Sequence, residues 1–209
     1  MEHTLSTPRL RLTLLEKAEL GSQEFSWLHE LRSDKQTTWW SIHGQSKSPA
    51  DTEKFIKHCL PSLQNPDAVR IAYAVHMIQE EGLRFIGLIT LRSSTELSLP
   101  EANHLMPPAA LDLSSTLNLE LGYQYLPLAW GKGYATEALP AVFDACRALG
   151  RKVFVRAIVD AENGGSLKVM GKSGMRELGV HEWRGEKAYM AGEWRGRMVL
   201  WIWGMWLVQ

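Results

Sequence analysis

Cysteine is scarce in this chain: Cys59 and Cys146 are the only two among 209 residues. They lie far apart and match no metal-ligand spacing, so neither a disulfide framework nor a metal site is expected, and both read as buried free thiols of a reducing compartment. Net charge is equally absent. The 23 Lys and Arg balance the 23 Asp and Glu, which removes the broad positive field of a nucleic-acid binder. The Arg195-Gly-Arg197 run is too short to restore it. There is no long hydrophobic run either. Residues 198–208 form the longest, about half of what a membrane helix needs, and read as a buried strand or strand pair. Residues 1–13 carry no apolar stretch of the kind a secretory leader has. A cytoplasmic protein without a membrane partner is therefore expected. Internal repeats and low-complexity tracts are missing, as is GxxxxGK[ST], the loop of nucleotide triphosphatases. So is a GxGxxG with an acidic residue after the next strand, the dinucleotide signature. What is present is a 45% apolar composition, ample for one core, and the length predicts a single domain over 1–209.

Residues 9–15 (RLRLTLL) alternate polar with apolar, the pattern of a half-buried strand. Residues 21–32 place Phe25, Leu28 and Leu31 at helical spacing behind Ser22 as N-cap. A second helix starts at Ser48-Pro49 and ends before Pro61, and 61–67 is a loop. Residues 69–78 and 84–91 read as two antiparallel strands joined through Gly82. The stretch 93–115 is rich in Pro, Ser and Leu without periodicity and reads as a mobile insertion near the binding face. After a strand at 117–125 comes a helix over 134–149, with Ala138, Val142 and Ala145 on its apolar stripe and Pro140 as a source of strain. A buried strand at 152–159, a short helix at 163–172, and strands at 177–183 and 198–208 complete the chain. The order gives an α+β fold with a mixed sheet of about seven strands.

The chain is organised around 117–139, LNLELGYQYLPLAWGKGYATEAL. Its loop, Trp130-Gly131-Lys132-Gly133-Tyr134-Ala135, sets two glycines against a helix start, where free N–H groups and the helix dipole favour an anion such as a pyrophosphate. Downstream, Asp160-x-x-Asn163-x-x-Ser166 leads to Gly174-Met175. With the opening Thr7-Pro-Arg-Leu-Arg-Leu12 and Leu119-Glu-Leu-Gly-Tyr123, these segments resemble the GCN5-related N-acetyltransferase (GNAT) family. Within it they are similar to the branch of ribosomal-protein alanine and serine acetyltransferases. Trp130 stands where the family often has Gln or Arg, as is common in this branch.

The resemblance implies a mostly antiparallel central sheet with helices on both faces and acetyl-CoA as co-substrate. The amides of Gly131, Lys132, Gly133, Tyr134 and Ala135, with Trp130 and Thr136, would hold the pyrophosphate. The backbone of Tyr123, Gln124 and Tyr125 would pair with the pantetheine arm as an added strand. Asn163 and Ser166 would sit beside that arm. A neutral amine would attack the thioester directly, with Glu120 as base. Where many relatives place a Tyr general acid this chain has Met170, whose thioether donates no proton. The leaving thiolate would then be protonated by water, another side chain or the product ammonium. Trp39 and Trp40 fall where the family shapes its acceptor pocket, with His43 beside them. Trp201, Trp203 and Trp206 read as core or as the contact of a homodimer. Two other classes stay open at this point, a CoA-binding module without catalysis and a structural partner in a complex.

Overall fold

The computed structural model describes residues 1–62, 68–93 and 99–208. Eight strands form one sheet in the order β1-β2-β3-β4-β5-β6-β8-β7. They are β1 (Thr4–Ser6), β2 (Leu10–Leu14), β3 (Arg70–Gln79), β4 (Gly82–Ser93), β5 (Thr116–Tyr125), β6 (Lys152–Asp160), β7 (Arg176–Met190) and β8 (Glu193–Val208). Every neighbouring pair is antiparallel except β5 and β6. The strand count exceeds the expected seven by β1, three residues with one buried side chain, too short for any period to register.

Helices cover both faces. On one, α1 (Gln23–Ser33) and α2 (Pro49–Cys59) bring Leu28, Leu31 and Cys59 against Ala72, Ala74 and Leu88. Both start as their residues dictate. Ser22 Oγ accepts from Phe25 N at 3.1 Å, and Ser48 caps Asp51 N ahead of Pro49. On the other face, α4 (Tyr134–Arg147) lays Ala138, Val142 and Cys146 on Leu119, Leu121 and Val155. The helix runs on through Pro140, whose side chain is exposed. Gly87 is required where β4 meets β5, because a Cβ there would lie 2.6 Å from the Gln124 carbonyl oxygen and 2.7 Å from the Tyr125 ring.

Two expectations need correction. Residues 94–98 of the 93–115 stretch and 63–67 of the 61–67 loop lie outside the described residues. The described part of the former is ordered structure, not an unstructured insertion. A 3₁₀ turn spans Pro100–Leu105 and α3 spans Pro108–Leu111, burying Leu99, Ala102, Met106 and Ala110. Prolines at the start of each turn fix φ without needing an N–H partner, and such short turns leave no 3.6-residue stripe. The stretch 184–197, expected as a connection between two strands, is itself strand. β7 and β8 pair out to Met190↔Glu193 around Ala191 and Gly192, whose φ values of 54° and 84° suit a two-residue hairpin turn. Polar residues on both sides of that hairpin removed the alternation by which a strand is recognised. Trp206 packs edge-on against Phe154 at 5.0 Å, and Trp203 lies against the main core, so both are used within the fold.

Among the described residues no helix is long and apolar enough to cross a membrane.

Candidate functional site

β5 and β6 lie side by side only from Thr116↔Lys152 to Glu120↔Arg156. Beyond that point β5 stays with β4 as far as Tyr125↔Gly87, while β6 follows β8 as far as Asp160↔Leu200. The two strands therefore diverge into a fork with Glu120 and Arg156 at its root. Leu126 N donates to Ile86 O at 2.9 Å, on the β4 side. Alternation then turns the N–H and C=O of Tyr123 and Tyr125 toward the fork and those of Gln124 toward β4. Tyr125 O accepts from Trp130 Nε1 at 2.7 Å, which seats the indole at the fork's mouth. An extended amide-bearing molecule could occupy the open edge as an added strand.

The glycine loop closes the mouth. Gly131 and Gly133 have φ of 72° and 79°, and Gly133 is the N-cap of α4 with no side chain capping it. The first-turn amides, including those of Tyr134, Ala135 and Thr136, are the ones an α-helix leaves without internal partners. A Cβ built on Gly131 meets nothing within 4 Å, so that glycine serves its backbone angle and the open space above it, not packing. Lys132 is exposed beside it.

Arg9 is the residue of this site that sequence reasoning missed. Its Nη1 donates to Lys132 O at 3.1 Å, its Nε to Glu137 Oε2 at 2.6 Å and its backbone N to Glu137 Oε1 at 2.9 Å. Thr7 Oγ1 adds a 2.5 Å bond to Glu137 Oε1, and the guanidinium lies 4.7 Å over the Tyr134 ring. Burial works against the Glu137 charge, but the bonds from Thr7 and Arg9 and the Arg9 charge outweigh it and hold the carboxyl below its usual range. An acidic first turn would repel an anion at a helix start, and Arg9 cancels that charge while pinning the loop. The sequence carried no clear signal for it, since a carboxylate in a helix's first turn is already favoured by the helix dipole and does not call for a cation. A depressed folded pKa stabilises above the unfolded pKa and ceases to as pH falls through the folded one. Glu137→Gln should accordingly cost about 1–2 kcal/mol at neutral pH. In thermal melts the gap from the wild type should close on acidification; a gap independent of pH would refute the charge argument.

Opposite β5, α5 (Gly164–Lys172) is capped by Asn163, whose Oδ1 accepts from Ser166 N at 3.1 Å. The Tyr123 hydroxyl lies buried near Ser166 without closing a regular hydrogen bond to it. Burial pushes the Tyr123 pKa up to about 12, and Ser166 opposes that rise. Met170 has no exposed surface and belongs to the core.

Glu120 presents its carboxylate on the α1–α2 face. Oε2 lies 2.7 Å from Arg156 Nη2 and Oε1 lies 3.6 Å from Arg92 Nη2. On the same side of the molecule a cavity of about 460 Å³ is lined by Lys35, Gln36, Trp39, Trp40 and Trp130. It joins the two expected tryptophans to the loop tryptophan. The β7–β8 turn braces it: Ala191 N donates to Trp39 O at 2.7 Å, and a Cβ on Gly192 would fall 2.4 Å from the Trp39 ring.

The sequence matches the acetyltransferase (GNAT) domain over residues 9–176. The chain belongs to the GNAT family: it is an N-acetyltransferase, and an acyl-CoA is its co-substrate. Solved structures agree in fold. A GNAT-family acetyltransferase from Bacillus anthracis is 20% identical with a TM-score of 0.63, covering 98% of each chain. Spermidine N-acetyltransferase from Vibrio cholerae, in complex with CoA and spermine, is 16% identical with a TM-score of 0.62. It covers 94% of this chain and 95% of its own. Mycobacterium smegmatis RimJ, in complex with CoA-disulfide, is 17% identical with a TM-score of 0.61, covering 94% and 81%. No curated protein matches the sequence significantly.

Proposed function

We propose that the protein transfers an acetyl group from acetyl-CoA to a primary amine held on the α1–α2 face of the fork. The observation that carries this reading is the conjunction of a β5 edge that has no strand partner beyond Glu120 among the described residues with a glycine-capped helix start at one end of it. A long molecule with amides in its middle and a pyrophosphate at its end fits that pair of features. The loop amides of Gly131 to Ala135, with Thr136 and the neighbouring Lys132, take the pyrophosphate. Tyr123 offers its fork-facing N–H and C=O to the pantetheine amides, and Tyr125 its N–H, its carbonyl being engaged by Trp130 Nε1 and Thr37 Oγ1. Gln124 lies between them with its side chain on the acceptor face. Asn163 and Ser166 flank the arm from α5, and Trp130 closes the mouth.

At the root of the fork the amine nitrogen attacks the thioester carbonyl carbon. The carbon–sulfur bond breaks, the nitrogen loses one proton and the CoA sulfur gains one. Glu120 receives the proton from nitrogen. The Tyr123 hydroxyl, placed on the α5 side of the fork, supplies the donor that Met170 cannot. Trp39 and Trp40 give the acceptor an apolar wall.

Acetyl-CoA should raise the melting temperature of the protein by several degrees at a hundredfold excess over its dissociation constant, because such binding contributes about 2.7 kcal/mol. Free pantetheine, which lacks the pyrophosphate, should do far less, since the loop contacts are lost. An unmoved melting temperature at saturating acetyl-CoA would sink the reading.

A further inference from the structure

Four adjacent strands set charged residues opposite one another at the root of the fork. The registers run Arg70↔Arg92, Arg92↔Glu120 and Glu120↔Arg156. Directly opposed residues of neighbouring strands share a face. The alternation puts this row on the α1–α2 face, with Ala72, Ala74 and Leu88. The row holds three guanidiniums and one carboxylate, although like charges set directly opposite destabilise a sheet.

The cations differ in what occupies them. Arg70 Nη1 donates to Lys57 O at 2.6 Å and to Leu60 O at 3.0 Å, and so caps the end of α2. Arg156 is fully buried and bound to Glu120 at 2.7 Å. Arg92 is 35% exposed, and its ion pair among the described residues is the long 3.6 Å contact to Glu120. From above, Arg32 in the last turn of α1 reaches the same face with 1% of its surface exposed. Among the described residues it donates to neutral acceptors: Ser41 Oγ at 3.0 Å, Gln124 Oε1 at 3.2 Å and Gly44 O. Its Nε has no hydrogen-bond partner among the described residues. Burial pushes its pKa down to about 10, which leaves it charged at neutral pH. His43 stacks on His58 at 5.8 Å in the same region. Burial, then the charges of Arg32, Arg92 and His58, hold His43 below the usual imidazole range, and the charges acting on it are all positive. On β5 itself, Gly122 separates Glu120 from Gln124 and leaves bare backbone between them on this face.

A buried guanidinium without a carboxylate partner is costly, and a second cation at the surface beside it increases the cost. An anion delivered by the substrate offsets both. We infer that the acceptor is a primary amine that also carries a carboxylate, with the carboxylate on Arg92 over the field of Arg32 and the amine toward Glu120. The inference rests on the acetyltransfer reading above and narrows it. A polycationic amine would meet the same charges as repulsion.

The test is acetyl-transfer kinetics on matched acceptors. One arm pairs free amino acids with their amides. The other pairs N-terminal peptides bearing Asp or Glu at their second position with the Asn or Gln versions, and spermidine serves as a polycation. In at least one arm the acid member should be favoured by roughly tenfold or more in kcat/KM, the size of one charge-assisted contact, with spermidine below both. The arm showing the preference identifies the source of the carboxylate. Arg92→Gln should bring the acid-to-neutral ratio to about one whatever it does to absolute rates, and Arg92→Lys should restore part of it. Equal use of both members of every pair, or a preference that survives Arg92→Gln, overturns the inference and leaves the acetyltransferase reading standing. Acetylation of no amine at all, with acetyl-CoA still bound, overturns both.

Discussion

Glu120→Gln should lower kcat/KM for acetyl transfer by about two to four orders of magnitude, the span a positioned general base contributes. The pH–rate profile should change shape with it, as loss of a positioned base requires. The residue sits at the root of the fork, where the β5–β6 pairing ends, and it is the carboxylate of a row otherwise made of arginines. That placement makes a second role possible, as the strut that neutralises buried Arg156. The two roles give different readouts. A strut lost to glutamine destabilises the fold, because a buried guanidinium loses the carboxylate that lies 2.7 Å from it. It leaves the pH profile of whatever protein remains folded unaltered. A base lost to glutamine changes the profile while acetyl-CoA still binds. Unchanged kcat/KM with an unchanged profile would remove Glu120 from the chemistry.

Gly133→Leu should weaken acetyl-CoA binding roughly a hundredfold, equivalent to one or two hydrogen bonds to charged oxygens. Gly133 has φ of 79° and is the N-cap of α4. A side chain there strains the backbone by about 1–2 kcal/mol and stands over the amides that the helix start leaves unpaired. The nearest atom to a Cβ at this position is Arg9 Nη2 at 3.6 Å, an ordinary contact, so the variant should fold. The loss should appear in the affinity for the nucleotide-bearing donor and leave the acid-to-neutral preference among acceptors intact, since the acceptor cations lie on α1 and β4.

Much of this could be read from the residues. Ser22, Ser48 and Asn163 cap their helices as side-chain chemistry dictates, and the 130–135 loop forms at the helix start its glycines require. The β3–β4 hairpin follows its alternation. What escaped depends on partners distant in the chain. Nothing local to Arg9 says that it meets Glu137, and the Arg70–Arg92–Glu120–Arg156 row exists only once three registers are fixed. Arg32 reads as a surface residue at a helix end, yet it is buried against Gln124. The outer half of the β7–β8 hairpin packs against little core, so its residues carry no pattern that selects a strand. The short turns at 100–111 are set by proline and by burial of Leu99, Ala102 and Ala110, neither of which leaves a period.

The β5–β6 fork and its glycine loop are proposed to hold the acyl donor. Calorimetric titration of acetyl-CoA into the wild type and Gly133→Leu, side by side, tests this most directly. Saturable one-to-one binding to the wild type, with affinity reduced roughly a hundredfold in a variant that still melts cooperatively, is the predicted result. Equal affinity in the two proteins would place the donor elsewhere and contradict the account.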